Sequence, residues 1–240
     1  MLRAFSRQVQ GIKYLLTHPH QLKWVVTREI YFGQRKNSKK NWVEWQKYDA
    51  QMHIMMMQTH AETLSVNTLN ASRIQIFIDM VKSIGKDLKI LDVGCGDGVI
   101  SGPIMKMGNY IASVELPAVA TLAKTCNVSS VMAGDAETLA FASESFDLVI
   151  ASEVLEHLWE PKSFLNEAYR VLKPSGYLII ETPEGEKGLN YDSHRNFFTV
   201  EKLKEMIDPT FTLNEVKRLE ATGSAQTPTI IVLLHKSKAP

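Results

Sequence analysis

The chain has 240 residues, 45% hydrophobic and 22% charged, with a formal net charge of +1. That length holds one large domain, or one domain plus a small extension, and the near-neutral charge gives no pointer to nucleic acid. The two cysteines, Cys95 and Cys126, exclude a disulfide framework and make a reducing compartment, the cytoplasm, the default.

Charge is unevenly spread. Residues 1–50 carry ten Lys or Arg against three acids (Glu29, Glu44 and Asp49), so the remainder is net acidic. No apolar run is long enough to span a bilayer, and no continuous apolar segment follows Arg3 to form a secretory signal. Residues 1–28 contain no acid, and Leu2, Phe5, Val9, Ile12 and Leu16 fall on one helical face. The first reading is a helix packed on the protein's own body. A mitochondrial presequence, or a helix lying on an anionic membrane as a peripheral contact, are the other two. Pro19 ends this pattern. Trp42, Trp45 and Tyr48 precede the Met-rich "MHIMMMQTH"; both groups suit core packing first, and a substrate lid or pocket second. Residues 1–60 are therefore expected to form a basic, helical extension, and 61–240 a separate domain.

From Ala71 the pattern becomes regular. Ile74, Phe77, Ile78 and Val81 have helical spacing, and Gly85 ends that helix. "LKILDVG", "NYIASVEL", "VSSVMAGD" and "FDLVIASE" are apolar strands in turn. "PKSFLNEAYRVLKPSG" is a helix opened by Pro161 and stopped by Pro174 and Gly176. "YLIIETP" is a fifth strand and "TVEKLKEMI" a further helix. "FTLNEVKRLEA" and "PTIIVLLHK" are late strands close enough to pair antiparallel. Apolar strands alternating with helices predict an α/β, doubly wound, mostly parallel sheet covered on both faces. Ligands of such sheets bind beyond the carboxyl ends of the strands.

The glycine loop "ILDVGCGDGVIS" lies at such an end. A dinucleotide fingerprint needs glycine at 94, 96 and 99, but position 99 is Val99 and the third glycine is Gly98. Asp92 stands just before the loop, where it would repel a pyrophosphate and attract an ammonium or sulfonium. The loop residues Gly94, Cys95, Gly96 and Gly98 thus suit a nucleoside bearing positive charge. Glu115, followed by Leu116, ends the second strand about 20 residues later, where an acid can accept both ribose hydroxyls. In "GDAETLAF", Asp135 can accept from an exocyclic amine and the Ala136 backbone can donate to a base, with Glu137 next; Gly-Asp is also an ordinary turn.

The ordered set "ILDVGCGDG", "VEL", "GDAETLAF", "FDLVIASEVLEHL" and "RVLKPSGYLIIETP" resembles the class I S-adenosylmethionine-dependent methyltransferases over roughly residues 71–240. The resemblance implies a Rossmann-like seven-stranded sheet with the last strand antiparallel. It implies Asp92, Gly94 and Gly96 at the methionine part, Glu115 at the ribose, and Asp135 and Ala136 at the adenine. Ser152 and Glu153 would flank methyl transfer. "EVLEHL" and "DSHRNFFTVEKL" are most similar to the branch of ubiquinone-type O-methyltransferases and of tailoring enzymes for sugars, lipids and natural products. That similarity implies His194 across the mouth from His157. Small-RNA 2′-O-methyltransferases share an ExxEH arrangement that binds a divalent metal.

Three readings of this segment stand side by side. His157 is a general base for a hydroxyl. Alternatively Glu153, Glu156, His157 and His194 hold Mg²⁺, Mn²⁺ or Zn²⁺, which lowers the pKa of a substrate hydroxyl. In the third, the acids complement a helix start and His157 packs. The function expected is methyl transfer to a hydroxyl of a small-molecule, glycan or lipid-linked acceptor. N-methylation, RNA 2′-O-methylation (disfavoured by the acidic catalytic part) and a cofactor-binding partner subunit are the alternatives.

Overall fold

The computed structural model describes residues 34, 35, 37–47, 49, 68–117, 119, 120, 130–186, 193–220 and 228–237. The stripe over 1–28, Tyr48, the Met-rich stretch at 52–57 and Cys126 lie outside the described residues. The chain divides into two compact units, Met1–Asp49 and Ala50–Pro240, against an expected division after residue 60. The front unit contains a helical run over residues 39–47, in which Trp42 and Trp45 are buried. Among the described residues, no helix is long and apolar enough to cross a membrane.

The second unit is built on seven strands: β1 (Lys89–Val93), β2 (Tyr110–Glu115), β3 (Val131–Ala133), β4 (Phe146–Ser152), β5 (Leu172–Pro183), β6 (Phe211–Leu219) and β7 (Thr229–Lys236). Their order across the sheet is β3-β2-β1-β4-β5-β7-β6. The strands from β3 to β5 pair in parallel, and β7 lies antiparallel between β5 and β6. The late pair needs no crossover helix, so it closes the sheet as expected from its short connection.

Alternate strand residues feed opposite faces. Leu91, Val93, Val149, Ala151, Leu178 and Ile180 pack with α3 (Pro161–Val171) and α4 (Val200–Ile207), through Phe164, Leu165, Ala168, Leu203 and Ile207. Ile90, Leu148, Ile150 and Ile179 face the other way, onto Phe77, Met80 and Val81 of α1 (Thr68–Ile84) and Ile104 of α2 (Ser101–Met105). Both faces of the central strands are therefore dry, which is why these strands are continuous apolar runs rather than alternating ones. Helix ends follow local rules. Thr199 accepts from the Lys202 amide to cap α4, and Pro161 fills the first turn of α3 beside its Glu160 cap.

Two boundaries differ from the sequence reading. α1 begins at Thr68, three residues before Ala71. α3 ends at Val171, and β5 starts at Leu172 rather than at Tyr177. Leu172 is already extended and pairs with Phe146, after which residues 173–176 bulge out before Tyr177 pairs with Leu148. Lys173 precedes a proline, which disfavours helix there, and Ser175 takes a left-handed φ of 64°.

Candidate active site

The carboxyl ends of β1, β2, β4 and β5 form one edge, and two chemically different regions sit along it. The first is the glycine loop. The Gly94 amide still bonds to Val114 of β2 (2.8 Å), so the chain leaves the sheet only after that residue. Gly94 has φ 72°, and a Cβ there would come within 2.5 Å of Val154 Cγ2. Both the backbone and the space demand glycine. Gly96 is also left-handed, but a Cβ there would meet nothing within 4 Å. The loop backbone is thus bare over an open cradle. Asp97 Oδ1 accepts from the Val99 amide and tightens the turn into α2.

Glu115 reaches back under this loop. Its Oε2 accepts from the Gly96 amide (3.1 Å) and its Oε1 from the Leu116 amide (2.7 Å). Burial raises its pKa, and those two amides work against the rise. Asp92 is buried and accepts from Ser101 Oγ; burial pushes its pKa up to about 7, with Glu115 adding to the rise and Ser101 opposing it. Burial, then Asp92 and Glu115, keep the Cys95 thiol protonated. Asp135 Oδ1 accepts from the Glu137 amide, a turn role that is present alongside any base recognition. Glu137 is committed elsewhere: its Oε1 receives the Trp159 and Glu160 amides at 2.8 and 3.1 Å. That carboxylate fixes the loop after β4.

The second region lies at the tips of β4 and β5. Glu153 has φ 56°, and the helical geometry is confined to a single 3-10 turn, Leu155–His157. Glu153 is therefore outside the turn, and the expected alignment of residues 153, 156 and 157 on one helical face is replaced by a tighter one. Donor atoms of Glu156, His157 and His194 lie within 4.8 Å of one another, and Glu153 is not among them. The neighbours of the Glu153 carboxyl are Glu156, Glu181 and Arg73; burial first, then the adjacent acids, raise its pKa well above the usual range.

Glu156 is 1% exposed. Its Oε2 accepts from Thr182 Oγ1 (3.0 Å), while its Oε1 is buried with no hydrogen-bond donor among the described residues. Oε1 lies 3.8 Å from His157 Nε2. His157 Nδ1 is 2.8 Å from the Ser193 carbonyl, which can only accept. In the neutral ring the proton is therefore on Nδ1 and the lone pair on Nε2. His194 meets His157 edge-on, with ring centroids 4.8 Å apart. Residues 193–198 are strapped onto the turn: the Arg195 and Asn196 amides both bond to the Glu156 carbonyl, and Asn196 Nδ2 spans Leu155 O and Leu158 O.

The sequence reading missed Arg73 and Glu181. Arg73 Nε and Nη2 each lie 2.7 Å from Glu181, and Nη2 also donates to Ser152 Oγ. Glu153 and Asp97 are the next acids acting on the guanidinium, after Glu181. Arg73 is thus held at the tips of β4 and β5, with Asp97 of the glycine loop among the acids that act on it. An acid inside the apolar run "YLIIETP" was the available signal for Glu181; a lone Arg in an amphipathic helix gives none for Arg73.

The site fits a nucleoside linked to an amino acid and bearing positive charge. Open space above Gly96, the buried Asp92, the half-buried Glu115 and the Arg73 guanidinium are the groups present for it. A family model described as "Methyltransferase domain" matches residues 91–180. Residues 91–180 thus carry a methyltransferase domain, and the relatives and structural neighbours support the class I S-adenosylmethionine-dependent family. It is 36% identical over 105 residues to the ubiquinone biosynthesis O-methyltransferase of Parvibaculum lavamentivorans, a match covering 40% of this chain and 41% of that protein. The chain thus spans about two fifths of the curated methyltransferases it matches. Among solved structures, the N-methyltransferase NodS of Bradyrhizobium japonicum in complex with S-adenosyl-L-homocysteine superposes with a TM-score of 0.63 at 18% identity. That match covers 73% of this chain and 91% of NodS. The 1,6-didemethyltoxoflavin-N1-methyltransferase of Burkholderia thailandensis gives 0.61 at 17% identity, over 79% and 87%. At those identities the structures speak for the methyltransferase fold alone.

Proposed function

We propose that the chain methylates a hydroxyl of a small-molecule, glycan or lipid-linked acceptor, with S-adenosylmethionine as donor. The observation that carries this reading is one sheet edge shared by the glycine loop with Glu115 and by a histidine whose Nδ1 is tied to a carbonyl. The bound sulfonium supplies an already activated methyl group, so the residues have modest tasks. Glu115 accepts the ribose hydroxyls, Asp135 and Ala136 meet the adenine, and Asp92, Gly94, Gly96 and Arg73 hold the amino-acid end. Ser152 and Glu153 border the acceptor's approach. His157 takes the hydroxyl proton on Nε2, and Glu156 beside it offsets the charge the ring gains. His194 walls the same mouth.

A metal-assisted reading rests on one further observation: donor atoms of Glu156, His157 and His194 lie within 4.8 Å of one another, and Glu156 Oε1 is buried with no hydrogen-bond partner among the described residues. In that reading Glu156, His157 and His194 hold Mg²⁺, Mn²⁺ or Zn²⁺ and the cation lowers the hydroxyl pKa.

The deciding experiment is calorimetric titration of S-adenosylhomocysteine into the purified chain, followed by labelled methyl transfer to hydroxyl and amine acceptor panels with and without chelator. Binding plus transfer to hydroxyls is expected. Absence of binding would overturn the reading, and binding without transfer to any acceptor would leave the cofactor-binding partner-subunit role. Loss of transfer after chelation, restored by one cation, would move the assignment to the metal reading.

A further inference from the structure

Glu181 is an acid at the tip of an apolar strand and is fully buried. Its two oxygens take the Nε and Nη2 donors of Arg73 at 2.7 Å each, and Ser152 Oγ donates to the same carboxylate at 2.5 Å. A planar guanidinium held by two parallel bonds has one orientation left to it. The arrangement uses only one side of the fork. Among the described residues, Nη1 makes no hydrogen bond, although the Arg73 side chain is only 21% exposed. The other acids that act on Arg73 are Glu153, at the tip of β4, and Asp97, in the glycine loop. The guanidinium with its unused donor is thus fixed against the tips of β4 and β5, within electrostatic reach of the glycine loop.

A buried ion pair adds little net stability over apolar side chains of the same size, because desolvation offsets the attraction. What this one gives is direction. We propose that Glu181 is a positioning residue that presets Arg73 for the carboxylate of the cofactor's amino-acid moiety. This rests on the methyl-donor reading above. Glu181 never touches the ligand; it removes the rotamer freedom that Arg73 would otherwise lose on binding. The zwitterionic amino acid then meets a matched pair of signs, its carboxylate on Nη1 and its ammonium toward the acids of the glycine loop.

The test is calorimetry on the full chain with two probes. S-adenosylhomocysteine carries the amino-acid end; 5′-methylthioadenosine lacks it. In Glu181→Gln the S-adenosylhomocysteine Kd is expected to rise about tenfold, as for one misplaced charge-assisted contact, while 5′-methylthioadenosine changes less than about twofold. Unchanged S-adenosylhomocysteine affinity, or equal loss of both probes, would overturn the positioning role. If Glu181→Gln does not fold, Glu181→Asp keeps the charge one methylene short, and the same contrast between probes decides. Wild-type protein that binds neither probe would overturn the methyl-donor reading itself, a result distinct from wild-type binding with an indifferent Glu181 variant.

Discussion

The glycine-loop side and the β4–β5 side of the site solve different problems with different parts. Around β1 and β2 the groups at the sheet edge are backbone amides, bare glycine backbone and two acids, all within a few residues of a strand end. Around β4 and β5 they are side chains from distant segments: Arg73 of α1, Glu181 of β5, and His157 and His194, the last brought in by the 193–198 strap. A common donor can be held by a local motif. The groups around β4 and β5 depend on which segments the fold brings together, so they are scattered along the chain. Val154 joins the two sides, because it packs against Gly94 and precedes the turn that carries His157.

The largest effect expected separates the two sides cleanly. His157→Ala should lower methyl transfer by about 10²–10⁴-fold, the usual range for a lost general base, with S-adenosylhomocysteine affinity unchanged in calorimetry. Parallel loss of affinity would show that the sides are not independent. Gly94→Ala should breach the division through Val154. An alanine there combines a left-handed φ with overlap on a packed methyl, so about 1–3 kcal/mol of stability should go in denaturant titration, and both binding and transfer should fall. Glu115→Gln sharpens the cofactor side alone: about a tenfold weaker S-adenosylhomocysteine Kd, with the melting temperature nearly kept.

The smallest effect concerns pH. The folded Asp92 pKa is raised, to about 7, because its carboxyl is buried. The folded state therefore holds a proton that the unfolded chain has released. Its favourable contribution is complete below the ordinary aspartate pKa and is lost as pH rises through about 7. Wild-type stability should fall across that window, and Asp92→Asn should flatten the fall when unfolding is followed at a series of pH values.

The elements of the glycine-loop side were legible because their signals are local. The off-register third glycine disfavoured a dinucleotide site, and an acid ending the second strand pointed to Glu115. Glu137 shows the limit of such reasoning: it follows Asp135 directly, yet its carboxylate serves the Trp159 and Glu160 amides. The acceptor side was legible in residue type and not in arrangement. Helical spacing grouped Glu153 with Glu156 and His157, but a left-handed Glu153 and a single 3-10 turn regrouped them.

By itself, the sequence determined the alternation of dry strands and helices, the glycine loop and an acid at the end of β2, because periodicity and strand-end motifs act over a few residues; the histidine pair was implied by the family resemblance. Only the tertiary structure decided that Arg73 meets Glu181, 108 residues away, and that Glu156 Oε1 is buried facing His157. Such pairings depend on which strand tips become neighbours, and strand order is fixed by packing both sheet faces at once rather than by any local pattern.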